Sequence, residues 1–177
     1  MCPGRAFARF GAVLPLPELR LLISWRRAVN RVPVRFRYGR PMLPRDQLRV
    51  FEYSLPGGWT VMAGKTDADN ECLSLEVARP DDYWFHAHGL PGSHVVLQGP
   101  EGEKPDRETL KRAAAVAAYH SKARAGGVVP VTCTQARHVS KPRGARVGTV
   151  QVRKEETLKV RPGLPKPPPD AAGGNAS

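Results

Sequence analysis

Aromatic, acidic and imidazole side chains alternate in one short stretch near the middle of the chain. It reads Asp81-Asp82-Tyr83-Trp84-Phe85-His86-Ala87-His88 and is followed shortly by Gly92-Ser93-His94. Side chains two residues apart on a strand share a face, so Asp82, Trp84 and His86 are expected to point the same way. An indole can stack on a nucleobase, and an acid or imidazole can hydrogen-bond to base or ribose, so the pattern favours a nucleotide platform. The alternative is that Trp84 belongs to the core and Asp82 secures a loop.

The same stretch carries atoms that could bind a metal ion. Ligands of the kind that zinc prefers are offered by Asp82, His86, His88 and His94. Such a site would serve a metal-dependent hydrolase or an RNA-modifying enzyme. However, His86 and His88 do not have the helical spacing of an HExxH motif, and no second acidic cluster lies close by. We therefore expect no metal, no cofactor and no catalytic residue.

Nucleophilic and phosphate-binding motifs are incomplete. Ser93 lies in Leu-Pro-Gly-Ser-His, which is not the GxSxG elbow of a hydrolase. The loop at residues 89–93 could offer backbone N–H groups to a phosphate, but it lacks the Gly-Lys-Ser/Thr of a P-loop. Cys133 falls in a predicted buried strand, where cysteine usually acts as a small hydrophobe. No small-molecule substrate is indicated.

A basic loop at residues 136–146 gives the stronger binding signal. Its cations are Arg137, Lys141, Arg143 and Arg146, together with His138. No acid occurs within residues 136–154, so we expect these cations to lack local partners and to contact phosphates. The alternative is a solvated hairpin loop that keeps the protein soluble.

The charge of the chain is concentrated towards its two ends. The 177 residues carry a net charge of +12, made up of +8 in residues 1–48, −2 in residues 49–135 and +6 in residues 136–177. This favours a polyanionic partner such as nucleic acid, a ribosome or anionic lipid. No apolar run approaches the roughly 20 residues of a membrane span. The three cysteines form no CxxC pair, which favours a reducing compartment, and we expect the cytoplasm.

The terminal segments differ from the middle of the chain. Residues 1–48 hold ten arginines and several prolines, which is typical of a basic arm or a targeting segment. An extension that never orders, or a start codon chosen too far upstream, would explain them equally well. Residues 163–177 form a Pro/Gly/Ala tail, which we expect to be disordered.

The middle segment, residues 49–162, predicts one α+β domain with a mostly antiparallel sheet, one long helix and one short helix. The short helix is expected over residues 71–78 with Asn70 as its cap, and the long helix over residues 107–125 with Asp106 as its cap. Strands are expected at residues 50–55, 59–63, 83–87, 94–98, 128–134, 147–152 and 157–160.

Several strings in this segment resemble the NFACT-R domain, the RNA-binding module of the NFACT proteins. They are Gly64-Lys65 with Asn70 and Leu73, Asp81-Asp82-Tyr83-Trp84-Phe85-His86, Pro91-Gly92-Ser93-His94-Val95-Val96-Leu97, Ala118-Tyr119-His120-Ser121-Lys122-Ala123-Arg124, Val139-Ser140-Lys141-Pro142-Arg143-Gly144 and Thr157-Leu158-Lys159-Val160-Arg161-Pro162. The resemblance covers about residues 49–162. Where the family usually has a Gly-Arg-Asn-Ala-type loop, this chain has Gly64-Lys65-Thr66-Asp67, which supplies a cation without the planar fork of arginine.

The resemblance implies a non-catalytic RNA-binding module. Full-length NFACT proteins act in ribosome-associated quality control, sit on large ribosomal subunits and bind tRNA, so tRNA or rRNA is the expected partner. Their N-terminal tRNA-cradling domain is absent from this sequence, so a tailing role is not carried over, and stand-alone members of the family are the better comparison. The expected RNA face comprises Lys65, Asp82, Trp84, His86, Gly92, Ser93, His94, Arg137, Lys141, Arg143 and Arg146. A protein-interaction module on the ribosome is the main non-enzymatic alternative, and duplex DNA ranks last because no recognition helix is evident.

Overall fold

A computed structural model describes residues 36–37, 40–41 and 47–165. The predictions of an Arg-rich extension over residues 1–48 and of a disordered tail over residues 163–177 fall almost entirely outside them. Two short strands, β1 (Phe36–Arg37) and β2 (Arg40–Pro41), pair antiparallel with each other. No helix in the described part of the chain is both long and apolar enough to cross a bilayer.

A six-stranded antiparallel sheet forms the centre of the domain, with strand order β10-β7-β5-β6-β4-β3. Its members are β3 (Val50–Leu55), β4 (Trp59–Gly64), β5 (Tyr83–Ala87), β6 (Val95–Gln98), β7 (Val129–Gln135) and β10 (Glu156–Val160). The predicted α+β class and the antiparallel sheet are confirmed.

Helix α2 (Arg107–Tyr119) covers one face of this sheet. Asp106 caps it as predicted, because its Oδ1 accepts a hydrogen bond of 2.7 Å from the Thr109 N–H. Ala113, Ala114 and Ala117 are fully buried, and their small side chains let the helix axis approach the strands. The helix ends six residues earlier than predicted, because the backbone beyond it pairs with the β5–β6 loop: Lys122 N–H donates to the Pro91 carbonyl at 3.1 Å.

The second face of the sheet is covered by helix α1 (Asp67–Cys72), which continues as a π-helical turn, Leu73–Val77. The predicted cap is wrong: Thr66, not Asn70, accepts from the Asp69 N–H at 3.2 Å, and the helix starts four residues earlier. Asn70 is used elsewhere, because its Oδ1 accepts from the His94 N–H at 2.9 Å. This bond ties α1 to the beginning of β6.

A small hairpin extends from the end of the sheet. A 3₁₀ turn, Ala136–His138, leads into β8 (Val139–Ser140), which pairs with β9 (Gln151–Val152). The strand predicted at residues 147–152 is therefore mostly loop. Gly148 has a φ of +81° and lies so close to α1 that an added Cβ would stand 2.8 Å from the Asp67 Cβ, which rules out a straight strand there.

Glu71 on α1 anchors this loop at two points. Its Oε2 forms an ion pair with the Lys141 ammonium and accepts a 2.9 Å hydrogen bond from the Gly148 N–H. The Lys141 ammonium also donates to the Arg146 carbonyl at 2.8 Å. Because the Lys141 side chain is only 12% exposed, this contact is largely desolvated. It fixes residues 141–148 against α1.

Replacing Glu71→Gln is expected to loosen that loop, because Lys141 would keep a partly buried charge without its counter-charge. We expect the free energy of unfolding to fall by about 2 kcal/mol in urea titration. Trypsin should cleave after Arg143 and Arg146 faster than in the parent protein, as read by mass spectrometry. The matched control is Asp81→Asn, which removes the more exposed ion pair with Arg137 and should cost under about 1 kcal/mol. Equal effects of the two substitutions would contradict the anchoring role.

Candidate nucleic-acid interface

Trp84 shares one sheet face with Asp82 and His86, as predicted, but that face is covered. Its side chain is 2% exposed and packs among Leu73, Val96 and Met62. Its indole N–H donates to the Ser74 Oγ on the π-helical turn at 2.9 Å. The hypothesis that Trp84 stacks on a base is therefore corrected: the indole is a core group, which was the alternative stated from the sequence.

Asp82 is also an internal anchor. Its carboxylate accepts hydrogen bonds of 2.7 Å from the Arg79 N–H and from Gln98 Nε2, and it pairs with the Arg79 guanidinium at 2.9 Å. These contacts hold the approach to β5 against the end of β6. With its side chain buried and its oxygens occupied, Asp82 secures a loop rather than offering a ligand contact.

His86 and His94 face each other across β5 and the start of β6, with ring centroids 5.4 Å apart and edge to face. The His94 Nδ1 lies 2.8 Å from Ser74 Oγ and 3.2 Å from the Asn70 carbonyl. Burial, with a smaller contribution from His86, lowers the pKa of His94 to about 4. Burial also lowers the pKa of His86, opposed by a backbone hydrogen bond with Gly92. Both rings are therefore neutral near pH 7.

The histidines do not assemble into a metal centre. His88 Nδ1 lies 3.0 Å from the Thr132 hydroxyl, and Asp82 is engaged as described above. Within residues 47–165, no group of three or more His, Cys, Asp or Glu side chains is arranged to hold a metal ion. The geometry thus gives the metal-dependent alternative no site at Asp82, His86, His88 and His94.

Gly92 and Ser93 join three segments at one end of the sheet. Ser93 Oγ donates to the Gly64 carbonyl at 2.7 Å, and the Ser93 N–H donates to the His120 carbonyl at 3.0 Å. Gly92 forms a bridge with Ser121, and an added Cβ would lie 2.9 Å from the Ser121 Cβ. These contacts bring the Lys65 loop and the segment after α2 to the β5–β6 loop. The close backbone approach predicted for Gly92 is made to another part of the chain.

The basic loop lies at the same end of the sheet, where it lines an open cleft of about 820 Å³. Its lining includes Asp67 and Pro91 on one side and residues 144–149 on the other. We call the exposed parts of residues 65–67, 91–93, 120–124 and 143–149 the loop surface. The structure therefore brings Lys65, Gly92, Ser93, Arg143 and Arg146 into one surface and leaves Trp84 and His94 buried in the interior. Asp82 is buried at the opposite end of β5, beside Gln98 at the end of β6.

The cations of the basic loop have different environments. Lys141 is paired with Glu71, and Arg137 is paired with Asp81 and donates to the Pro80 carbonyl. The expectation concerned local partners only, and acids distant in sequence, Asp81 and Glu71, meet these two side chains in the fold. Arg143 and Arg146 are exposed, and neither forms an ion pair with a described residue. They remain candidates for phosphate contact.

Two exposed cations of the loop surface were absent from the predicted site. Lys122 and Arg124 follow α2, in residues that the sequence predicted as the end of the long helix. Since the helix ends at Tyr119, they lie instead in the segment that pairs with the β5–β6 loop. The two positive charges within residues 120–124 are the sequence signal that could have identified them. That signal indicates a surface loop only if the helix is taken to end at Tyr119.

The neutral, buried state of His94 predicts a stability loss in acid. Its folded pKa lies below its unfolded value of about 6.5, so the unfolded state takes up the proton first as pH falls. Between about pH 6.5 and pH 4 this should remove up to about 3 kcal/mol of the free energy of unfolding. His94→Gln should be less stable at neutral pH, but its free energy of unfolding should fall less than the parent's as the pH is lowered over that range. Urea unfolding at several pH values measures both effects. A His94→Gln slope as steep as the parent's would refute the assignment.

Comparison with known proteins supports a family assignment for this region. The family model described as the NFACT protein RNA binding domain matches residues 49–154, from the start of β3 to just beyond β9. The Rqc2 homolog RqcH of Bacillus subtilis is 44% identical over 110 residues, covering 62% of this chain and 19% of that protein. The Rqc2 homolog RqcH of Streptococcus suis is 38% identical over 106 residues, covering 60% of this chain and 19% of that protein.

A solved structure has the same fold. The C-terminal part of the fibronectin/fibrinogen-binding protein from Streptococcus suis superposes with a TM-score of 0.59 at 36% identity, covering 63% of this chain and 45% of that chain. The chain spans about a fifth of the length of the curated relatives it matches. Since the family model covers more than half of the chain and begins where the described sheet begins, this chain belongs to the NFACT protein RNA binding domain family.

Proposed function

We propose that this chain is a non-catalytic RNA-binding module that contacts tRNA or rRNA through the loop surface. The observation that carries the proposal is that the loops at one end of the sheet contact each other, line the cleft through Arg146 and present several exposed cations. They are Lys65, Lys122, Arg124, Arg143 and Arg146. Cations gathered on one surface bind the phosphate backbone and release its counterions.

The context of that binding is proposed from the relatives. Their names mark them as Rqc2 homologs, and NFACT proteins act in ribosome-associated quality control. We therefore propose a role on or near the large ribosomal subunit, in the cytoplasm. The matched region is only about a fifth of those relatives, so the proposal is limited to RNA contact by this domain.

Rigid positioning of the basic loop supports this function. Glu71 and Lys141 hold residues 141–148 against α1, so Arg143 and Arg146 are presented on an ordered backbone. A loop that is already ordered loses less conformational entropy when it binds. Lys141 therefore contributes as a positioning residue rather than as a phosphate contact.

The two groups whose pKa values are shifted furthest are buried and are not presented on the loop surface, which supports a non-catalytic role. Burial, with a smaller contribution from Glu156, raises the pKa of the Cys133 thiol to about 12, so it stays protonated and unreactive. His94 is neutral and 5% exposed beneath the β5–β6 loop. Neither group is presented to a substrate.

Reversing two loop charges tests the proposal in vitro. Arg143→Glu with Arg146→Glu should weaken tRNA or rRNA-fragment binding by at least about tenfold at low salt. The slope of log K against log salt should become shallower by roughly 1.5 units, because about two phosphate contacts are lost. The matched control is the double variant Arg107→Glu with Lys111→Glu, whose positions are exposed on α2. Lys111 lies roughly 13 Å along the helix axis from His120, where the loop surface begins. Equal losses in both double variants would contradict a localised RNA surface.

Recovery of the tagged protein from its own cells tests the cellular role. We expect tRNA or large-subunit rRNA to be enriched with the parent protein and depleted with the Arg143/Arg146 charge-reversal variant. Nuclease treatment before recovery should release ribosomal components. Association that survives nuclease treatment, with no enriched RNA, would replace this proposal by the protein-interaction alternative.

A further inference from the structure

Phe51 is an exposed aromatic side chain next to the loop surface. It is 41% exposed, whereas the other Phe and Trp side chains of residues 47–165 are buried: Trp59, Trp84 and Phe85. Phe51 lies on β3, at the edge of the sheet, opposite Ala63 in the register with β4. The ring is therefore partly in water on an edge strand, where another molecule can reach it.

The ring of Phe51 is held in a defined orientation. It stacks on His120 with ring centroids 4.7 Å apart and an interplanar angle of 20°. His120 is itself fixed, because its Nε2 lies 2.8 Å from the Tyr53 hydroxyl. Burial, with a smaller contribution from Arg124, lowers the pKa of His120, so the ring that supports Phe51 is neutral near pH 7. Phe51 is therefore a preorganised flat surface.

Cations surround this ring. The Lys65 ammonium lies over it, 4.5 Å from the centroid, and the Arg124 guanidinium lies over the neighbouring Tyr119 ring at 3.9 Å. The exposed Arg49 is adjacent, because its carbonyl accepts from the Lys65 N–H at 3.2 Å. An aromatic face flanked by exposed cations is complementary to a nucleotide, whose base stacks while its phosphates pair with the cations.

We propose that Phe51 is the stacking site for one unpaired nucleobase of the bound RNA, with Lys65 moving from the ring to a neighbouring phosphate. The proposal rests on the proposed RNA-binding function and specifies the RNA: a single-stranded nucleotide beside Lys65 and His120, not a continuous duplex. Lysine suits this exchange, because its flexible stem lets the ammonium reach a phosphate a few ångströms away. Bases within a duplex are stacked on each other and cannot reach the ring.

The test compares Phe51→Leu with Phe51→Tyr. Leucine keeps an apolar side chain but removes the π face, while tyrosine keeps the face. Each variant is titrated with a single-stranded RNA and with the same RNA annealed to its complement, at one fixed salt concentration. We expect Phe51→Leu to weaken single-strand binding by about 5- to 150-fold and duplex binding by less than about twofold. Phe51→Tyr should bind both like the parent, and thermal melting should show that both variants are folded.

A fluorescent variant gives an independent readout. In Phe51→Trp, single-stranded RNA should quench emission beyond the change seen with the parent protein, whose Trp59 and Trp84 are buried. Equal weakening of single-strand and duplex binding in Phe51→Leu, or no change in either, would overturn the stacking site while RNA binding by the parent still stood. If the parent protein bound neither RNA, the proposed function itself would fail, and this inference with it.

Discussion

The Ser74 hydroxyl is the contact on which the second face of the sheet depends. It accepts the indole N–H of Trp84, donates to the Asn70 carbonyl at 2.7 Å and lies 2.8 Å from the Nδ1 of His94. These bonds satisfy polar groups that would otherwise be buried without partners, which is costly in a low-dielectric interior. They also fix the π-helical turn, and with it α1, against β5 and β6.

The position of α1 in turn determines the position of the basic loop. Glu71 lies on α1, and its carboxylate holds both Lys141 and the Gly148 amide. A chain of specific contacts therefore leads from the core residue Trp84 to the surface cations Arg143 and Arg146. Trp84 and the polar groups bonded to it are buried, but they contribute to binding because they position the loop that carries the exposed cations.

The loop surface and the core also differ in their electrostatics. The His86–His94 pair and the Cys133 thiol are kept uncharged by desolvation, whereas the cations of the loops are exposed and solvated. This division suits a binding module, which needs fixed charge at its surface and a neutral interior. Membership of an RNA-binding domain family agrees with that division.

Periodicity, capping residues and turn residues were enough to predict the antiparallel α+β fold, the hairpin of β3 and β4, and the start of α2 at Asp106. The motif strings also identified the family. The sharing of one face by Asp82, Trp84 and His86 followed from the two-residue period of a strand. These features are local, so a short window of sequence contains the forces that produce them.

Only the tertiary structure decided that the face shared by Asp82, Trp84 and His86 is covered, and which charged side chains form ion pairs. Burial of Trp84 depends on α1 folding over it, and the pairing of Lys141 depends on Glu71, which is 70 residues away in the chain. Likewise, the exposed position of Phe51 follows from β3 being an edge strand, which the strand order determines. Sequence patterns report which residues can face the same way, whereas desolvation and ion pairing depend on what the rest of the chain places against them.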